Sequence, residues 1–127
     1  MKKRILVIED ETDYKRIVSQ LLEKEGHAVS AFETAGEGLE YLKKNLPDLI
    51  ILDIGLPDAS GLDICRKIRT DDSTSAVPII LFTVRSELDQ VSKALDYGAD
   101  DYILKPFDLE EFTLRVKAIL EKAENKK

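Results

Sequence analysis

Glu9, Asp10, Asp53, Thr83 and Lys105 are the residues best suited to chemistry in this chain, and each follows a short apolar run. Glu9 and Asp10 come after Ile5-Leu6-Val7-Ile8, Asp53 after Leu49-Ile50-Ile51-Leu52, Thr83 after Ile79-Ile80-Leu81-Phe82, and Lys105 after Tyr102-Ile103-Leu104. If the runs are parallel strands of one sheet, all five side chains meet at one edge, where open α/β sheets bind their ligands. Gathered carboxylates repel: at an effective dielectric of about 20, two charges about 4 Å apart cost roughly 4 kcal/mol, so a cation or a proton is needed. Lys105 supplies one positive charge. A hard, oxygen-seeking ion at an open site with one or two carboxylates and water describes Mg²⁺ better than an all-protein Ca²⁺ cage, and no histidine or cysteine set suits zinc. A carboxylate nucleophile, a hydroxyl, an ammonium and a divalent cation are the groups that phosphoryl transfer uses.

The elements that would position these residues alternate. The runs before Glu9, Asp53 and Thr83 are nearly continuous and rich in large apolar residues, as strands buried on both faces should be. Val29 and Ala31 alternate with polar neighbours, and Tyr102-Ile103-Leu104 is very short, so these two read as edge strands. Tyr14, Ile17, Val18, Leu21 and Leu22 follow helical spacing, and Gly26 is placed to end that helix. Thr34 with Glu37, Ser60 with Asp63, Ser86 with Asp89 and Asp108 with Glu111 are capping pairs that announce four more helices. Strict alternation implies an α/β fold, a five-stranded parallel sheet with right-handed crossovers and helices on both faces. Only the tail from Glu124 to Lys127 is expected to fray.

With 127 residues, 43% of them hydrophobic, the chain is expected to form one domain over residues 1–127. No apolar run is long enough to span a membrane, and the start of the chain lacks a signal-peptide core, so a cytoplasmic protein without membrane partners is expected. Cys65 is the only cysteine and lies on an apolar helix face, where it reads as core. A net charge of −6, from 25 acidic and 19 basic residues, disfavours direct nucleic-acid binding. His27 has no partner motif and reads as a solvated histidine. Gly36 and Gly38 are too loosely spaced for a nucleotide loop.

Each site residue also has a bland alternative. Acids just past a strand are commonly helix caps or solvated loop residues, which would suit Glu9, Asp10, Glu11 and Asp13. Thr83 alone would be a cap or loop hydroxyl, and Lys105 alone a surface residue. Asp53 resists this reading, because it ends a run expected to be central, where an unpaired charge is costly. The coincidence of four strand ends favours a shared site.

As a set, Glu9-Asp10, Asp53-Ile-Gly-Leu-Pro57 with Gly61, Thr83, and Gly98-Ala-Asp-Asp-Tyr102 leading to Lys105-Pro106-Phe107 resemble the receiver domains of two-component response regulators over essentially the full chain. The resemblance implies a flavodoxin-like sandwich with strand order 2-1-3-4-5. It implies that Asp53 is the phosphoacceptor, with Mg²⁺ bound by Asp10, by Asp53 and by the Gly55 carbonyl, and by Glu9 through water. Lys105 would pair with the phosphoryl oxygens, Thr83 would swing toward one of them, Tyr102 would turn inward as Thr83 moves, and the bond before Pro106 would be cis. The implied partners are a sensor histidine kinase or phosphotransfer protein and a downstream effector domain or protein, addressed through the surface of helix 4, strand 5 and helix 5. No turnover of an external substrate is implied.

Two departures from the commoner family pattern stand out: Val84 where a very small residue is usual, followed by Arg85 at the site mouth, and Glu9 where aspartate is more frequent. Asp100, Asp101, Glu111, Arg115 and Lys117 partly match a charged set through which some relatives pair when phosphorylated. Val91 stands where a basic residue often contributes, so a weak phosphorylation-dependent homodimer is expected. A phosphohydrolase should carry a second acid beside its nucleophile, and Ile54 and Gly55 supply none. A flavin or nucleotide phosphate would be repelled by Glu9-Asp10-Glu11.

Overall fold

A computed structural model describes residues 2–126. In chain order the elements are β1 (Arg4–Ile8), α1 (Thr12–Lys24), β2 (Ala28–Phe32), α2 (Ala35–Leu42), β3 (Leu49–Asp53), α3 (Gly61–Thr70), β4 (Ile79–Val84), a 3₁₀ turn (Arg85–Glu87), α4 (Leu88–Asp96), β5 (Asp101–Lys105) and α5 (Leu109–Asn125). All strand pairs are parallel, in the order β2-β1-β3-β4-β5. The chain reverses its direction of growth between β1 and β3, which opens a crevice beyond their carboxyl ends.

The twofold alternation of the strands divides the core between the two faces of the sheet. Leu6, Ile8, Ile50, Leu52, Ile79 and Leu81 pack in one cluster with Ile64, Cys65 and Ile68 of α3 and Val91 and Ala94 of α4. Ile5, Val7, Leu49, Ile51, Ile80 and Phe82 pack in the other with Val18 and Leu22 of α1 and Phe112, Val116, Ile119 and Leu120 of α5. Each such side chain removed from water contributes roughly 1.5–3 kcal/mol, and the three central strands carry most of this burial.

The caps follow the expected residues in three of four cases. Thr34 accepts the Glu37 N–H, Ser60 that of Leu62, and Asp108 those of Glu110 and Glu111. Ser86 is different: it lies inside the 3₁₀ turn, and the Glu87 carboxylate instead accepts the N–H of Val84 at 3.3 Å. The tail is also more ordered than expected, since α5 continues to Asn125 and Glu124 pairs with Lys3 at 2.5 Å; Lys127 lies outside the described residues. Gly36 and Gly38 are interior residues of α2, with Gly38 against Ile8.

Arg69, in the last turn of α3, ties together segments that the sequence separates. It donates to the carbonyls of Gly98 (2.8 Å) and Val77 (2.6 Å) and to Asp100 Oδ2 (2.9 Å), which also accepts the Ile79 N–H at 2.8 Å. The start of β4, the start of β5 and the end of α4 are thereby fixed to α3. Arg66 adds a contact on the ring of Tyr97, 5.7 Å from its centroid.

The end of β3 is positioned by close backbone packing. Gly61 donates its N–H to the Ile54 carbonyl at 2.9 Å, and a Cβ at Gly61 would lie 2.5 Å from Ile54 Cα and 2.9 Å from the Asp53 carbonyl. Gly61→Ala is therefore expected to lower stability by about 1–3 kcal/mol, read as a lower urea midpoint with an unchanged slope. Gly36→Ala, whose methyl would meet only Asp58 at an ordinary 3.5 Å, should be neutral or slightly stabilising.

Candidate functional site

At the carboxyl edge of the sheet, Asp53 ends β3, Lys105 ends β5, Thr83 is the penultimate residue of β4, and Glu9 and Asp10 follow β1. Glu9, Asp53, Thr83 and Lys105 are all buried, and Asp10 is half-buried. Glu9, Asp10 and Asp53 each offer a carboxylate oxygen, and these oxygens lie within 4.8 Å of one another. Lys105 Nζ stands 2.5 Å from Glu9 Oε1, 3.1 Å from Glu11 Oε1 and 3.5 Å from Asp53 Oδ2.

The ammonium rests on an aromatic floor. Lys105 Nζ is 4.7 Å from the centroid of Tyr14 and 5.7 Å from that of Phe82, and Phe107 stacks on Phe82 with centroids 5.5 Å apart. The Lys105–Pro106 peptide is cis. Burial works against the charge of Lys105, but Glu9, Asp53 and Glu11 outweigh it and hold its pKa above the ordinary lysine value.

On the acid side, burial and the neighbouring Asp53 carboxylate push Glu9 up to about 8. Asp10 is raised for the same two reasons. Glu9 Oε1 is ion-paired with Lys105, yet no directed hydrogen bond reaches it, while Glu9 Oε2 accepts the Glu11 N–H at 3.0 Å. Three hard oxygen donors against one ammonium leave a deficit of positive charge, and the donor set fits Mg²⁺.

The loop after β3 is held from both sides. Gly55 donates to Asp53 Oδ1 at 3.0 Å. Asp58 accepts the N–H groups of Ala35 (2.9 Å) and Gly36 (3.0 Å) at the start of α2, and these bonds hold its pKa below the usual carboxylate value. Thr83 Oγ1 donates to the Val84 carbonyl at 3.2 Å. Tyr102 is half-buried, while Val84 and Arg85 are exposed at the end of β4.

A model of the response regulator receiver domain matches residues 5–117. The chain belongs to that family. Receiver domains serve two-component systems. "Response regulator ArlR" of Staphylococcus saprophyticus is 43% identical over 123 residues, and its Staphylococcus aureus counterpart is 44% identical. The aligned part is 97% of this chain but only 54% and 55% of those proteins, so the receiver spans about half the length of these curated relatives. Among solved structures, a CheY-like receiver domain protein from Methanospirillum hungatei superposes with a TM-score of 0.92 at 31% identity over the whole of both chains. NtrX from Brucella abortus, solved with ADP, gives 0.92 at 28% identity, covering 99% of this chain and 29% of that one.

Several positions differ from their sequence reading. His27 is half-buried: its Nδ1 accepts the Lys3 N–H at 3.1 Å, and burial lowers its pKa. Val91 is 5% exposed and packs in the core with α3 and β4 residues. Asp100 is bound by Arg69, and Arg115 by Asp101 at 2.8 Å. Glu11, read as a cap or loop acid, reaches Lys105 across the site. Tyr14, assigned to a helix face, lies against Lys105, and Glu87 was not singled out. Among the described residues, no helix is long and apolar enough to cross a membrane.

The raised pKa of Glu9 is expected to make the receiver's stability fall as pH rises. A carboxyl that titrates near 8 when folded and at 4.5 when unfolded favours the fold fully below 4.5, and this contribution is lost as pH rises through 8. A divalent ion should replace the missing proton. Thermal melts with Mg²⁺ and with EDTA are expected to differ more at about pH 9 than at about pH 6; equal differences would show that Glu9 does not sense the metal.

Proposed function

We propose that this receiver domain accepts a phosphoryl group on Asp53 and thereby switches the surface formed by α4, β5 and α5. The observation that carries this reading is the placement of Asp53 Oδ2 3.5 Å from the Lys105 ammonium, in the same cluster as Glu9 and Asp10. The donor would be a phosphorylated histidine of a sensor kinase or phosphotransfer protein in the cytoplasm.

Asp53 attacks phosphorus in line, forming an aspartyl O–P bond as the donor's bond to phosphorus breaks and its electron pair leaves with the donor. Mg²⁺, when bound by Asp10, Asp53 and the Gly55 carbonyl and through water by Glu9, would neutralise charge on the transferring oxygens. Lys105 is already held beside Asp53 by Glu9 and Glu11, so it requires little reorganisation to pair with the new oxygens. Thr83 exchanges the Val84 carbonyl for a phosphoryl oxygen, and Tyr102 turns inward behind it. That exchange is a differential contact capable of biasing two conformations.

The products are the phosphorylated receiver and, after hydrolysis, inorganic phosphate, so the domain acts only on itself. An effector domain or separate protein reads the altered surface. Self-pairing through Asp100, Asp101 and Arg115 would compete with their existing bonds within the chain, consistent with a weak dimer.

Incubation with Mg²⁺ and acetyl phosphate should add one phosphoryl group to the parent, visible by intact mass, and none to Asp53→Asn or in EDTA. Equal labelling of parent and variant would remove Asp53 from its role. Val84 and Arg85 are exposed at the end of β4, and as a gate against the attacking water they would slow hydrolysis, so Val84→Ala combined with Arg85→Ala should shorten the phosphorylated lifetime by about threefold. An unchanged rate of phosphate loss in that double variant would mean that these residues form no gate.

A further inference from the structure

Gly55 lacks a side chain where another residue occupies the space. A Cβ at Gly55 would lie 2.8 Å from Glu87 Oε2, so the Glu87 carboxylate rests on the loop that follows the phosphoacceptor. Through Oε1 the same carboxylate accepts the Val84 N–H at 3.3 Å. Gly55 is itself bonded to Asp53 through its N–H at 3.0 Å. Glu87 is half-buried and closes the 3₁₀ turn that leads into α4. Among the described residues no ion pair links it to a lysine or arginine. One uncompensated carboxylate thus bridges the start of α4 and the loop two residues beyond Asp53.

We propose that Glu87 is a positioning residue that couples the state of Asp53 to α4 by repulsion. This rests on the reading of Asp53 as the phosphoacceptor. A phosphoryl group brings a charge of about −1.5 to −2 near a carboxylate held by one long hydrogen bond. Like charges in a half-buried setting are screened weakly, so the Glu87 side chain leaves Gly55 and Val84. The 3₁₀ turn and the first turn of α4 then lose this contact with the acceptor loop and keep only their apolar packing. Thr83 is drawn in by a new acceptor, whereas Glu87 is driven out by a new charge, so the two act on the same segment from opposite sides.

Hydrogen exchange by mass spectrometry on the full chain, with Mg²⁺ and with or without acetyl phosphate, tests this. Intact mass taken in parallel scores phosphorylation, so a failure to label counts against the acceptor reading and not against Glu87. In the labelled parent, amides of residues 84–92 should exchange about threefold faster than in the unlabelled parent. Glu87→Gln keeps the shape and the acceptor for Val84 but not the charge; it should label to the same extent and lose most of the acceleration. Gly55→Ala, whose methyl displaces the carboxylate, should show the faster exchange without any donor. The proposal is overturned by a labelled parent without acceleration, by full acceleration in Glu87→Gln, or by Gly55→Ala exchanging as slowly as the unlabelled parent.

Discussion

A single ammonium among carboxylates governs this receiver domain. Lys105 is almost wholly enclosed, and desolvation of its charge is tolerable only because Glu9, Glu11 and Asp53 surround it. The acids in turn are tolerable only because Lys105 is there and because one of them can hold a proton. Neither side would be stable alone, and both depend on the ends of β1, β3 and β5 lying at the same level. The sheet therefore serves mainly as a frame that forces unlike charges together and leaves the acids short of positive charge. That imbalance is the deficit that the proposed divalent cation would offset.

Much of this was legible in the amino-acid sequence because the physical signals were local. Ile5–Ile8, Leu49–Leu52 and Ile79–Phe82 are continuous apolar runs, and such runs become central parallel strands regardless of their neighbours. Once the strands are parallel, the acid, hydroxyl and ammonium at their ends converge by topology, so Glu9, Asp10, Asp53, Thr83 and Lys105 could be assembled before any coordinates. Thr34, Ser60 and Asp108 cap helices because a short polar side chain before a helix satisfies N–H groups that have no other partner.

What escaped the sequence was contact between distant residues. Glu11 meets Lys105 across a separation of 94 residues, and Lys3 meets Glu124 across 121; no periodicity encodes either pair. Glu11 and Tyr14 adjoin the recognised acids in the chain, and that adjacency was the only available hint. Ser86 looked like a cap by spacing, but Glu87 reaches the Val84 N–H first and a 3₁₀ turn forms. Val91, noted only as standing where relatives often carry a basic residue, packs in the core, a placement that a comparison of residue types does not reveal.

The Arg69 clasp has a mechanical consequence. The carboxyl end of α4 is pinned by directed contacts, through Gly98 and through Arg66 on the ring of Tyr97, whereas toward its amino end Leu88 and Val91 hold it by apolar packing. A nine-residue helix is about 13 Å long. With directed bonds at one end and packing at the other, it can tilt about Gly98, and about 10° would carry the amino end roughly 2 Å. Such a tilt would be graded along the helix, so that a protein docked near Leu88 would sense a larger movement than one docked near Asp96.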